Sequence, residues 1–301
     1  MDIKSKIILI SGPTASGKSE QANKLAKKIG GEIINADSMQ VYKELKILTA
    51  RPSKKYIVGH HLYGFLSVKK KFSTGQWLKL VLKKIKEIRA KGKIPIFVGG
   101  TGLYFKSLTE GLVKIPTIPL KLRNTIREEH NKIGQSEFYK KLLKIDPKIA
   151  NYINSKDPQR TLRAYEIKKF TKISMVDWFK KTKRYFQDSD FIKIYFNVQR
   201  NILIERINKR VRNMFFKGAV KEVIKFNNLN VKKDNSANKV IGIKEITEYI
   251  KKEANLAQTK EKIAIKTRQY AKRQSTWSRK HMTKWQNLDP LKVNLTKEIF
   301  K

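Results

Sequence analysis

"IILISGPTASGKSEQANKLAKKIGG", residues 7–31, decides how the rest of the chain is read. Ile7 to Ile10 is a short run without a polar residue, the composition of a strand buried on both faces. Gly12, Pro13, Thr14, Ala15, Ser16, Gly17, Lys18 and Ser19 then follow the spacing G-x-x-x-x-G-K-[ST]. Beyond them Ala22, Leu25, Ala26 and Ile29 recur at helical spacing, and Gly30-Gly31 closes the helix. A glycine loop between a strand and a helix is a phosphate cradle. Glycines let backbone N–H groups turn inward around an anion, and the helix N-terminus adds partial positive charge. Lys18 brings a point charge to the terminal phosphate, and Ser19 offers an oxygen to Mg²⁺. The motif leaves open whether the ligand is ATP, GTP or another diphosphate. It predicts an α/β protein of the P-loop NTPase kind, with a parallel sheet flanked by helices.

Two further stretches belong on the same rim of such a sheet, because ligands sit beyond the carboxyl ends of the strands. In "INADSMQVYKELKILTARPS", residues 34–53, an apolar run stops at Asp37, and Ser38, Gln40 and Tyr42 follow closely. A carboxylate there can bind Mg²⁺ through water, accept a proton from a nucleophile, or cap a helix starting at Ser38. In "KIPIFVGGTGLYFKSL", residues 93–108, Ile94 to Val98 reads as a buried strand and Gly99-Gly100-Thr101-Gly102 as a second glycine turn. Leu103, Phe105 and Leu108 open a helix, with the Thr101 hydroxyl at its N-terminus.

The chain has 301 residues, 40% of them hydrophobic and 10% aromatic, which is a globular composition. No apolar run approaches the ~20 residues a membrane span needs, so no membrane association is expected. The first apolar run leads straight into the glycine loop, so no signal peptide is read. Zero cysteine excludes disulfides, zinc–thiolate sites and a cysteine nucleophile. A cytoplasmic monomer is the expectation. Lys and Arg number 68 against 25 Asp and Glu, a net charge of +43. Such a field attracts polyanions, although a lysine-rich genome would inflate it everywhere.

From about Leu112 to Arg184 the pattern turns helical without strands, so 113–184 is read as an all-helical insertion into a core of 1–112 and 185–301. Within it Asp157 and Pro158 start a helix, and Gln159, Arg160 and Arg163 form a compact donor cluster. Phe191 to Val198 reads as a strand returning to the sheet. Arg206 and Arg210 stand one turn apart on the next helix, and Arg210 is expected over the phosphates. The Asn-rich residues 225–239 read as a flexible connection. "KTRQYAKRQSTWSRKHMTKW", residues 266–285, puts Thr267, Tyr270, Gln274 and Trp277 on one helical face and Arg268, Lys272 and Arg279 on another. Basic residues interleaved with aromatics suit phosphate contact plus base stacking. The four histidines show no metal-ligand spacing.

GPTASGKS, INADSMQVY with TARPS, and VGGTGLYFKSL, followed by DPQRTLRAYE at 157–166 and RQYAKRQSTW at 268–277, together resemble bacterial tRNA dimethylallyltransferases over nearly the whole chain. The resemblance implies that residues 12–19 hold the diphosphate of dimethylallyl diphosphate rather than ATP, with Mg²⁺. It implies transfer of the prenyl group to N6 of the adenine just 3′ of a tRNA anticodon. Asp37 then corresponds to the general base that meets N6, and Thr101 to a threonine at the junction of tRNA and diphosphate. Lys18 would stabilise the leaving group. Asp37, Ser38, Met39 and Gln40, and Gln159, Arg160, Thr161, Leu162 and Arg163, correspond to tRNA-contact segments. Ile243 stands where relatives commonly carry tyrosine, and Ser278 where an aromatic is common, both in a part expected to face RNA. Two other readings compete: prenyl transfer to a free adenine nucleotide, and a P-loop nucleotide kinase or noncatalytic RNA-binding NTPase. The helical insertion and the basic C-terminal helix argue against the first, and ATP hydrolysis would mark the second.

Overall fold

A computed structural model describes residues 3–52 and 59–299; Ser53, the end of the TARPS stretch, lies outside them. The chain divides into two compact units, one of Met1–Thr109 with Phe186–Lys301 and one of Glu110–Tyr185. The sequence reading put the corresponding boundaries at 113 and 184.

In the first unit the described elements run β1 (Ile7–Ser11), α1 (Lys18–Ile29), β2 (Gly31–Asn35), β3 (His60–His61), α2 (Thr74–Ala90), β4 (Ile94–Gly99) and α3 (Gly102–Thr109). After the second unit, which holds α4 (Leu120–Ile145), α5 (Pro158–Thr171) and α6 (Met175–Lys180), the first unit resumes. Its remaining elements are β5 (Phe191–Phe196), α7 (Arg200–Phe216), α8 (Ala219–Asn227), α9 (Ile243–Ile250), α10 (Leu256–His281), β6 (Gln286–Leu288) and α11 (Leu295–Ile299).

The strands form one parallel sheet in the order β3-β2-β4-β1-β5-β6. β1 lies inside it, and all five of its residues are buried, which is why its sequence shows no polar alternation. Ile8 and Ile10 pack with Leu25 of α1, Ile96 and Val98 of β4 and Leu295 of α11 on one face. On the other, Trp77 of α2 meets Phe97 edge-on at 6.0 Å and stacks on Tyr104 of α3 at 4.2 Å. The loops after β1, β2 and β4 therefore emerge at one rim of the sheet. A second apolar core joins α7, α8, α9 and α10 to residues 41–48, through Val41, Leu45, Leu48, Val211, Val223 and Ile263. No helix of the described residues is long and apolar enough to cross a membrane.

The second unit is helical throughout its described secondary structure. α4 is broken at Gly134, which leaves helical geometry at φ 77°, so Leu120–Ile145 holds two helical stretches that meet at a kink. Asp157 caps α5 as the sequence indicates, its side chain accepting from Arg160 N–H, with Pro158 at the first helical position.

Two sequence expectations change here. The strand at 191 ends at Phe196 rather than Val198. Residues 225–239 are no loose connection. They comprise the end of α8 and a 3₁₀ turn at Ser236–Lys239, with Asn235 buried and its side chain accepting from Ala237 N–H. A buried cap and the fully buried Ala237 hold that segment against the helical core.

Candidate functional site

The loop between β1 and α1 has the backbone its sequence requires. Gly17 sits at φ 89° immediately before α1, a conformation in which a side chain would be strained. Ala15 holds a left-handed φ of 64° without being glycine, which stores about 1–2 kcal/mol of strain in the loop. Lys18 Nζ donates to Pro13 O at 2.6 Å and to the fully buried Ser16 Oγ at 3.3 Å. Burial lowers the Lys18 pKa to about 8; the Asp37 carboxylate opposes that shift and the Arg210 guanidinium reinforces it. Arg210 on α7 donates from Nη1 to Thr14 Oγ1 at 2.7 Å and from Nη2 to Leu48 O at 3.0 Å. Arg206, one turn earlier, reaches Ala15 O at 3.4 Å.

Asp37 follows β2 by two residues, and the buried Asn35 fixes it. Asn35 Oδ1 accepts from Asp37 N–H at 2.8 Å, while Nδ2 donates to Asp37 O at 2.9 Å and Leu62 O at 3.0 Å. No helix starts at Ser38, so Asp37 is not a helix cap; its Oδ1 accepts from Met39 N–H at 2.9 Å within a turn. The glycine turn after β4 packs directly on this strand end. A Cβ on Gly99 would lie 2.1 Å from the Ala36 carbonyl, so only glycine fits. Thr101 N–H donates to Ala36 O at 3.1 Å, and Thr101 Oγ1 accepts from Ser38 N–H at 2.9 Å and donates to Ser38 Oγ at 3.2 Å. Thr101 and Ser38 thus tie the two loops together.

These loops and helices α7 and α10 enclose a cavity of about 500 Å³. Thr14, Lys18, Ser19, Asp37 and Arg210 are polar members of its lining, and Leu48, Val98, Val211, Met214, Val240 and Ile263 apolar ones. Met39 and Gln40 also line it, although Gln40 Nε2 already donates to Thr49 O at 2.9 Å and Ala50 O at 3.3 Å. Tyr270 of α10 faces the cavity too; burial and then the Asp37 charge hold its hydroxyl protonated, well above the usual phenol range.

Among the described residues no group of three His, Cys, Asp or Glu is placed to hold a metal ion. Ser19 and Asp37 both line the cavity, and such oxygen donors suit Mg²⁺, which takes few protein ligands and keeps phosphate oxygens and waters.

The second unit places Gln159 and Arg160 in solvent, Arg160 forming an ion pair with Asp157 at 3.0 Å. Arg163 lies within reach of the buried Glu166 at 3.5 Å, which Arg123 also approaches at 3.3 Å. The Thr161 side chain is buried, donating to Asp157 O and accepting from Gln135 Nε2, so it holds the first turn of α5. Leu162 likewise packs on the apolar core of this unit. On α10, Lys272 is exposed, whereas the Arg268 guanidinium is engaged by Glu261 at 2.8 Å. Ile243 and Ser278 are buried, so neither departure alters an outward-facing side chain.

Sequence reasoning passed over Asn35 and Arg273, which also lines the cavity. It placed Gln274 on a helical face without a role. The signal for Asn35 was its position two residues before Asp37, the spacing at which a side-chain amide brackets a turn.

A family model described as IPP transferase matches residues 40–281, and one described as isopentenyl transferase matches residues 5–66. The chain is 61% identical to a tRNA dimethylallyltransferase of Pelagibacter ubique, over 98% of this chain and 95% of that one. It is 44% identical to one of Rickettsia massiliae, over 90% of this chain and 76% of the other. Among solved structures, a eukaryotic dimethylallyltransferase acting on tRNA superposes with a TM-score of 0.85 at 28% identity, covering 98% of this chain and 77% of that one. The tRNA isopentenylpyrophosphate transferase of Bacillus halodurans superposes with a TM-score of 0.69 at 31% identity, covering 98% and 93%.

Proposed function

The chain belongs to the IPP transferase family of tRNA dimethylallyltransferases, and from that premise we propose that it transfers a dimethylallyl group from dimethylallyl diphosphate to N6 of the adenine 3′ of a tRNA anticodon. The observation that carries this reading is one cavity whose wall combines Lys18 and Arg210, the Asp37 carboxylate and an apolar surface. The cationic end suits a diphosphate, the apolar side suits a five-carbon chain, and the carboxylate suits an amine that must lose a proton.

In the proposed step N6 attacks the first carbon of the prenyl group. The carbon–oxygen bond breaks, diphosphate leaves with the electron pair, and the N6 proton passes to Asp37. Lys18 and Arg210 meet the charge that grows on the leaving group. Ser19 would help hold Mg²⁺, which when bound neutralises the diphosphate. The adenine must leave its stack to enter the cavity, and Gln40, one of the lining residues, would meet its edge. With tRNA as the acceptor, the cytoplasm is the proposed location.

Incubation with Mg²⁺, dimethylallyl diphosphate and unmodified tRNA, followed by nucleoside mass spectrometry, tests the reading. The expected product is adenosine heavier by one prenyl group, found only in the tRNA arm. Prenylation of free AMP at a comparable rate, or ATP hydrolysis without prenyl transfer, would overturn it.

A further inference from the structure

Thr14 of the P-loop is held by two helices distant from it in sequence. α7 reaches it through Arg210, as described. α10 reaches it through Gln274, whose Oε1 accepts from Thr14 N–H at 2.8 Å. The other end of the same side chain, Nε2, donates to Gly100 O at 2.9 Å. A single carboxamide therefore joins the loop after β1 to the loop after β4. Gln274 is only 9% exposed, so water competes weakly for either bond. Glutamine is suited to this position because one end accepts and the other donates, which satisfies an N–H and a C=O together.

Gly100 supports the same reading. Its φ lies outside the left-handed region, so no backbone requirement selects glycine there. A Cβ at that position would instead lie 2.1 Å from Gln274 Nε2. The space a side chain would take at residue 100 is filled by the amide of Gln274.

We propose that Gln274 is a positioning residue for prenyl transfer, setting the spacing between the phosphate cradle and the glycine turn that carries Thr101. By engaging Thr14 N–H it also directs the anion toward Lys18 and Ser19 instead of the start of the loop. The proposal rests on reading residues 12–19 as a diphosphate cradle.

The test uses the full-length chain as wild type, Gln274→Met, Gln274→Ala, Gly100→Ala and the Gly100→Ala/Gln274→Ala double variant. Each is titrated with inorganic diphosphate and Mg²⁺, and KM is measured separately for dimethylallyl diphosphate and for tRNA. Thermal melting checks the fold, and Gln274→Met keeps the side-chain bulk while removing both bonds. Gln274→Met is expected to bind diphosphate about 10- to 100-fold more weakly and to raise KM for the prenyl donor. KM for tRNA is expected to stay unchanged. Gly100→Ala should produce a similar loss alone, by displacing the amide, and little further loss in the Gln274→Ala background. Normal diphosphate affinity in Gln274→Met, or additive losses in the double variant, would overturn the proposal while leaving the cradle intact. A wild-type chain that binds no diphosphate would overturn the cradle reading, and this proposal with it.

Discussion

Asp37 takes its position from Asn35, two residues earlier. The Asn35 carboxamide pins both the N–H and the C=O of Asp37, so the carboxylate leaves β2 in one direction, toward the cavity. If Asp37 accepts the N6 proton, Asp37→Asn should lower kcat by about 10²–10⁴-fold while tRNA affinity persists. Single-turnover rates beside filter-binding titrations check this, and near-normal turnover would remove Asp37 from the step. Lys18 makes a prediction in pH. Burial lowers its pKa to about 8, so it is charged below that pH and neutral above it. Diphosphate affinity should therefore fall as pH rises through about 8, and binding near that pH should draw a proton onto Lys18. The ligand titrates as well, so the comparison that isolates Lys18 is Lys18→Arg, whose side chain stays charged. Calorimetry in buffers of different ionisation enthalpy should record proton uptake in the wild type and less of it in Lys18→Arg.

Among the elements, residues 46–48 show how a loop near the cavity is held without secondary structure. Glu222 of α8 accepts from the N–H groups of Lys46, Ile47 and Leu48 at 2.7, 2.8 and 2.9 Å. Leu48 then offers its carbonyl to Arg210. Glu222→Ala would strand three donors and release the segment that orients Arg210. It should lower stability by about 1–3 kcal/mol in a denaturant titration and weaken diphosphate binding. A variant with unchanged stability and affinity would show that this loop holds itself. Helix starts, by contrast, were legible locally. Asp157-Pro158 marks α5; capping boxes of Ser73 with Gln76 and Asn255 with Gln258, which sequence reading passed over, open α2 and α10. Their signals lie within four residues. Glu222 has none, because its partners are 174 to 176 residues away.

At the scale of the whole molecule the question is which positive charges meet RNA. The net charge of +43 does not answer it, since lysine is spread along the entire chain. Exposure and pairing separate the candidates. Lys272 is exposed, Arg160 is exposed although paired with Asp157, the less exposed Arg268 is engaged by Glu261, and Lys27 and Lys28 are exposed in the last turn of α1, away from the proposed RNA-facing segments. Removing one side chain that neutralises an RNA phosphate should reduce the salt slope of tRNA binding by about 0.7–0.9. Arg160→Ala and Lys272→Ala are expected to do so, Arg268→Ala to do less, and Lys27→Ala/Lys28→Ala to do least. Equal reductions across all of them, in affinity titrations at several salt concentrations, would make the charge a general field instead of a set of specific partners for RNA.

The sequence by itself determined the parallel α/β core, the P-loop with Lys18 and Ser19, the loop bearing Asp37, and the helical character of the inserted unit. These are written in runs of neighbouring residues: apolar strands, glycines at turns and helical periodicity act over one or two turns of chain. Only the tertiary structure decided which polar side chains face the cavity and which are occupied elsewhere. Thr161, inside DPQRTLRAYE, and Ser278, just past RQYAKRQSTW, are buried, whereas Gln274, on the helical face shared with Tyr270 and Trp277, bridges two loops of the site. The reason is physical. A hydrogen bond between groups 174 or 260 residues apart is made when packing brings the chains together, and nothing in the local spacing of either partner records it.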